Sequence, residues 1–146
     1  MTDPRIAIVV SRFNRAVTDN LLEGARAAAA AKQVAITEAD IYPVPGAFEL
    51  PTMAMAVARS GRYDGIVCLG AVIRGETPHF EYVSAQAAAG IQRVALDTGV
   101  PIAFGVLTTD TLAQALERAG GRVGNKGYEA VVTVLDMIAQ LRRLRQ

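Results

Sequence analysis

At 146 residues the chain suits one domain, of a size that buries roughly two thirds of the surface its unfolded form exposes. With 51% hydrophobic and 20% charged residues it is far from the disordered regime, and a net charge of +1 excludes a general nucleic-acid binder, which needs a basic surface to neutralise phosphates. Its single cysteine, Cys68, excludes an internal disulfide and fits a reducing compartment. That residue lies in the apolar run GIVCLGAVI, where it reads as a small core side chain. The start MTDPRIAIVVSRF holds only five apolar residues before Ser11 and Arg12, too few for a signal h-region or a membrane span, so a cytoplasmic protein is expected.

Residues 5 to 10, RIAIVV, form a β-branched apolar burst without alternation, which predicts a strand covered on both faces. The segment AVTDNLLEGARAAAAAKQ reads as a helix, with Thr18, Asp19 and Asn20 as capping candidates and Leu21, Leu22, Ala25, Ala28 and Ala29 on one face. The alanines at 27 to 31 support a helix rather than a linker. Next comes a short strand around ITEADIY, stopped by Pro43 and Pro45, and a helix over 49 to 59. The strand DGIVCLGAVI leads into a helix over 79 to 98. A fourth strand, PIAFGVLT, precedes a helix near TLAQALERA. After the Gly-rich break GGRVGNKG the chain ends in a helix over 128 to 144.

Four alternations of strand and helix at this spacing predict a parallel sheet with right-handed crossovers and helices on both faces, a three-layer α/β/α sandwich. Ligands of such sheets bind outside the carboxyl ends of the strands. Those ends fall at residues 11 to 14, 44 to 49, 73 to 79 and 108 to 111. No internal repeat, linker or second domain is visible, so residues 1 to 146 are read as one unit.

The strand ends carry unusual chemistry for loops. In SRFN, Phe13 either folds back over the core or serves as a stacking platform for a flat heteroaromatic ligand. In VPGAFELP two prolines and Gly46 stiffen the loop, and Glu49 either starts the following helix or, beside Phe48, accepts hydrogen bonds from ligand hydroxyls. In LGAVIRGETPHFEYV, Gly75, Glu76 and Thr77 lead into a helix start, where free backbone N–H groups and a hydroxyl suit a phosphate. His79, the only histidine, is placed there to move protons near neutral pH, or is simply solvated. With no second histidine and no further cysteine, a zinc site is not expected. In ERAGGRVGNKG, Arg118, Arg122 and Lys126 surround four glycines without the spacing of a P-loop. They read either as a basic helix C-terminus or as a guanidinium clamp for a phosphoryl group.

In order and spacing, SRFN, VPGAFELP, LGAVIRGETPHFEYV, FGVLTTDTLAQALERAG and GNKG resemble the 6,7-dimethyl-8-ribityllumazine synthase family over nearly the whole chain, from about residue 6 to 144. The resemblance implies a flavodoxin-like sheet order 2-1-3-4 and a transferase of riboflavin biosynthesis. It would condense 5-amino-6-(D-ribitylamino)uracil with 3,4-dihydroxy-2-butanone 4-phosphate, with no cofactor and no metal. The family pattern carries over residue by residue. Phe13 matches the ring that stacks on the pyrimidine, and Ala47, Phe48 and Glu49 the ribityl side. Ala71, Val72 and Ile73 match backbone contacts to the pyrimidine edge, Glu76 and Thr77 the phosphate-binding turn, and His79 the proton donor. Phe104 and Arg118 match residues supplied by a neighbouring subunit, to the pyrimidine pocket and the phosphate respectively. Lys126 matches the lysine of GNKG near the site. Glu76 stands where many relatives carry a small or neutral residue, so only its N–H is expected to face phosphate.

A site that needs a neighbour implies a homo-oligomer, a pentamer at least. The five residues before Ile6 are short against the arm of sixty-subunit capsid formers, whereas the compact AGGRVGNKG resembles those same capsid formers. Two rival readings stand beside this one. An archaeal-type riboflavin synthase should lack the paired GAFE and RGETPHF blocks, and a non-catalytic flavin- or lumazine-binding shell protein should have lost His79, Arg118 or Phe13.

Overall fold

A computed structural model describes residues 2 to 146. The main alternation runs β1 (Ile6–Ser11), α1 (Arg15–Ala31), β2 (Ile41–Val44), α2 (Leu50–Arg59), β3 (Gly65–Ile73), α3 (His79–Thr98), β4 (Ile102–Thr109) and α4 (Leu112–Glu117). A hairpin of β5 (Ala119–Gly121) and β6 (Gly124–Asn125) then leads into α5 (Lys126–Leu144). The four long strands form one parallel sheet in the order β2-β1-β3-β4, as expected from the sequence.

The unbroken apolar runs of β1 and β3 follow from burial on both faces. Along β1, Ile6, Ile8 and Val10 join Val17, Leu21 and Ala25 of α1 and Val131, Val134 and Ile138 of α5 in one core. Ala7 and Val9 point the other way, to Leu50, Ala54 and Val57 of α2 and Ile91 and Val94 of α3. Cys68 sits fully buried in this second core, the small apolar role read from its context. No helix among the described residues is long and apolar enough to cross a membrane.

Three local expectations are corrected. The helix α1 starts at Arg15 rather than near Thr18: Asn14 caps it in the left-handed region (φ 63°), a conformation Asn tolerates, and Thr18 lies buried inside the helix. The second strand begins only at Ile41, because residues 38–40 form a 3₁₀ turn in which the Thr37 N–H donates to Asp40 Oδ2 (3.0 Å). It also runs through Pro43 instead of stopping there, since β2 lies at the sheet edge, where a missing N–H is tolerated. The Gly-rich break is itself structured. Gly121 pairs with Gly124, and Gly120 and Gly124 have φ of 98° and 116°, conformations that a side chain would strain.

At the carboxyl edge Ser11 is registered with Val44, and Ile73 with Thr109, so the four loops of interest open on one side of the sheet. The last β1–β3 pair is Val10 with Leu69. Beyond it, among the described residues, the β1-facing edge of β3 has no strand partner.

Candidate active site

The loop after β1 leans on the loop after β2. Arg12 and Phe13 donate their N–H groups to the Val44 and Pro45 carbonyls, at 2.8 and 3.0 Å. The Asn14 side chain reaches across to the open edge of β3 and donates from Nδ2 to Ala71 O (2.9 Å). These bonds leave the Phe13 ring 70% exposed, so it does not fold back over the core. It faces a cavity of about 170 Å³.

That cavity gathers residues from all three of the first strand ends. Phe13 and Asn14 come from β1, Ala47 from the rigid loop after β2, and Ala71, Val72 and Ile73 from the end of β3. Gly75, Thr77 and His79 complete it from the following turn, with Phe80 and Val83 on the first turns of α3. Phe48 stands 57% exposed next to Ala47 but outside the lining. Glu49 occupies the residue before α2 and makes no side-chain cap there; its carboxylate lies over Gly46, with Oε1 3.3 Å from where a Cβ would stand.

The turn into α3 is rich in donors. Among the described residues, no chain acceptor takes the N–H groups of Gly75, Glu76 or Thr77. Thr77 Oγ1 accepts a long bond from the His79 N–H (3.4 Å). His79 is the first residue of α3 and is exposed, as is Glu76, whose side chain lies outside the cavity lining. Arg74 closes this turn from the side: it donates to Asp110 Oδ1 (2.8 Å) and Glu81 Oε1 (2.6 Å). Those bonds, to Asp110 first, raise the already high pKa of its guanidinium.

Arg118 and Lys126 lie elsewhere. The helix α4 is fixed at its start by a capping box, in which Thr111 Oγ1 accepts from the Gln114 N–H (3.1 Å) and Gln114 Oε1 from the Thr111 N–H (3.2 Å), with the Asp110 N–H also donating to Gln114 Oε1 (2.8 Å). Arg118 follows it and donates to Gln114 O (3.0 Å), and the Lys126 N–H donates to Arg118 O (2.9 Å) through the hairpin. The two cations line a second cavity of about 300 Å³ with Thr108, Thr109, Val123 and Glu129. Phe104 lies mid-strand on edge strand β4 and borders neither cavity.

Within one chain, then, the structure brings Phe13, Ala47, Ala71, Val72, Ile73, Thr77 and His79 together, and keeps Phe104, Arg118 and Lys126 apart from them. The sequence reading passed over Asn14, Phe80 and Glu129. Asn14 was legible as the last letter of SRFN, and Glu129 as one helical turn beyond Lys126. A larger groove of about 560 Å³ lies at the other end of the molecule, between the C-terminal ends of α1 and α5 at Lys32, Ala139 and Arg142. Among the described residues its lining holds no aromatic ring and no histidine.

Sequence comparison gives this geometry its context. A family profile for 6,7-dimethyl-8-ribityllumazine synthase matches residues 3–142. The 6,7-dimethyl-8-ribityllumazine synthase of Syntrophus aciditrophicus is 53% identical over 140 residues, covering 96% of this chain and 91% of its own. The protein of the same description from Helicobacter hepaticus is 51% identical over 142 residues, covering 97% and 91%. An apolar-walled cavity at the carboxyl edge of the sheet, rimmed by an exposed aromatic ring, a lone imidazole and unpaired amides, thus occurs in a chain that belongs to the 6,7-dimethyl-8-ribityllumazine synthase family.

Proposed function

We propose that the chain condenses 5-amino-6-(D-ribitylamino)uracil with 3,4-dihydroxy-2-butanone 4-phosphate to give 6,7-dimethyl-8-ribityllumazine, phosphate and water. Family membership together with the Phe13–Thr77–His79 cavity carries this reading. The uracil's 5-amine attacks the ketone, and water leaves to form an imine. A proton leaves the neighbouring carbon as the C–O bond to phosphate breaks. The enol tautomerises to a ketone, on which the ribitylamine nitrogen closes the second ring with loss of another water.

Every stage moves protons, and His79, the imidazole beside the cavity, is the group we assign to carry them. Phe13 stacks on the pyrimidine, whose edge meets Ala71, Val72 and Ile73 along the side of β3 that β1 leaves open. Ala47 and Phe48 flank the ribityl chain, and Glu49 accepts hydrogen bonds from its hydroxyls. The amides of Gly75, Glu76 and Thr77 and the Thr77 hydroxyl receive the phosphate, with the Glu76 carboxylate turned to solvent.

The phosphate lacks a cation in this half-site, because Arg74 is committed to two carboxylates. Arg118 of a neighbouring copy supplies one, with Lys126 beside it, and Phe104 of that copy closes the pyrimidine pocket. The active unit is therefore a homo-oligomer, read from the family resemblance as a pentamer. The buried, free Cys68 fits a cytoplasmic location. Purified protein incubated with both substrates should develop lumazine fluorescence well above the spontaneous background; a rate equal to that background overturns the proposal.

A further inference from the structure

Arg74, between the cavity-lining Ile73 and Gly75, bonds to three neighbouring pieces of chain. It follows directly on β3, and its N–H donates to Thr109 O at the end of β4 (2.9 Å). Its Nε donates to Asp110 Oδ1 in the β4–α4 connection, and its Nη1 to Glu81 Oε1 in the first turn of α3, at 2.8 and 2.6 Å. The guanidinium carbon also lies 4.4 Å from the centre of the Phe80 ring, and Phe80 lines the cavity beside His79.

The turn that these contacts bracket has little else to hold it. The amides of Gly75, Glu76 and Thr77 bond to no group of the described chain, and the Thr77–His79 bond is long at 3.4 Å. A Cβ placed on Gly75 would meet nothing within 4 Å, so packing does not fix the turn there either. The Arg74–Glu81 bond spans it, from the residue before the turn to the helix after it.

Stability is a poor reason for this arrangement. All three charged side chains are roughly half exposed, and solvent screens such pairs. Orientation is a better one. A planar guanidinium can bond along two edges while its face lies on a ring, and an ammonium cannot reproduce that geometry. Nor is Arg74 free to bind phosphate itself, since both carboxylates offset its charge.

We infer that Arg74 is a positioning residue that holds the 75–78 turn and the first turn of α3 in one arrangement. It thereby aims the turn's amides and the His79 imidazole at the phosphate-bearing substrate. It also couples them to the β4–α4 connection through Asp110. The inference rests on the proposed condensation.

The test is steady-state kinetics of Arg74→Lys with each substrate varied in turn. The expected result is a kcat lower by about 10-fold or more, in line with the effect of small misplacements in an active site. The KM for the phosphate substrate should rise while that for the aminouracil stays within about twofold, a split that general loosening of the fold would not produce. Glu81→Gln should act in the same direction but less. Adding it to Arg74→Lys should cost little more, because both remove one interaction. Parental kinetics in Arg74→Lys overturn the role of Arg74, as does a loss for both substrates that tracks a lowered melting temperature. If Arg74→Lys fails to fold, parental kinetics in Glu81→Gln overturn it instead. A parent chain that forms no lumazine overturns the condensation itself, whereas an active parent with an equally active Arg74→Lys overturns only the positioning role.

Discussion

Ser11 ends β1, two residues before the exposed Phe13, and its hydroxyl is buried without a hydrogen-bond partner among the described residues. It stands 3.1 Å from the place a Cβ on Gly70 would take, in a setting of Leu50 and Val106 side chains. A buried hydroxyl left unpaired costs roughly 1–3 kcal/mol, so Ser11→Ala should stabilise the chain by about 1 kcal/mol. Urea denaturation checks it: the midpoint should rise with the slope unchanged. Cys68 makes a pH-dependent counterpart. Burial pushes its thiol up from 9.0 to about 12. Above pH 9 the unfolded chain therefore loses a proton that the folded chain keeps, the unfolded state binds fewer protons, and stability falls as pH rises from about 9 toward 12. Tyr63 adds to the same alkaline decline at higher pH, because burial and its bonds to Tyr42 and Asp40 raise its phenol. Urea midpoints of parent and Cys68→Ala should differ by a constant amount below pH 9, then shift progressively in favour of the variant above it.

The joint between α1 and α5 shows how far elements could be read from sequence. The strands β1, β3 and β4 were legible because apolar runs buried on both faces have no other use in a chain of this charge, and the alanines of α1 marked a helix packed close. The hairpin β5–β6 was not legible, since strands of three and two residues made largely of glycine carry no side-chain pattern. Nor was the true start of α5. There Asn125 accepts from the N–H groups of Gly127 and Tyr128 (2.8 and 3.1 Å) and donates to Asn20 O of α1 (3.1 Å), a cap whose second function exists only in three dimensions. A Cβ on Gly127 would run into the Leu21 carbonyl, which is backbone and cannot move aside; one on Gly24 would run into the Asn125 side chain, which can. Gly127→Ala should therefore cost about 3 kcal/mol or more, as overpacking against a rigid neighbour does. Gly24→Ala should cost nearer 1 kcal/mol, the worth of the displaced cap. Thermal melts of the two variants side by side check the order, and an equal or reversed ranking would show that the two helices separate readily.

At the scale of the whole molecule, the residues of the proposed site fall around two separate cavities of one chain. One has rings, a histidine and free amides but no uncommitted cation; the other has Arg118, Lys126 and Glu129 but no ring or histidine. Part of the candidate site was legible, because loops at strand ends rarely hold such chemistry: Phe13, Ala47, Thr77 and His79 gather at one cavity, whereas Phe48, Glu49 and Glu76 lie outside its lining. Its proposed division between chains rests on the family resemblance at Phe104 and Arg118, because spacing along a sequence does not say which copy supplies a residue. Exposed apolar side chains on the outer face of α3, Tyr82 at 70% and Leu96 at 73%, together with Leu112, Leu116 and Val123 around α4 and the hairpin, fit surfaces that a neighbouring copy covers. Complementation tests the shared site directly. Homo-oligomers of His79→Ala lack the imidazole at every site, and those of Arg118→Ala lack the guanidinium at every site, so each variant alone should turn over slowly with its fold intact. When the two are co-expressed in equal amounts, a site regains both groups wherever an Arg118→Ala copy supplies His79 and its His79→Ala neighbour supplies Arg118. In a ring of head-to-tail interfaces assembled at random, both conditions are met at about one site in four, so mixed oligomers should recover about a quarter of the parental activity. Were each site built from one chain, every site in the mixture would still lack one group, and the mixed oligomers would be no faster than the two variants measured apart.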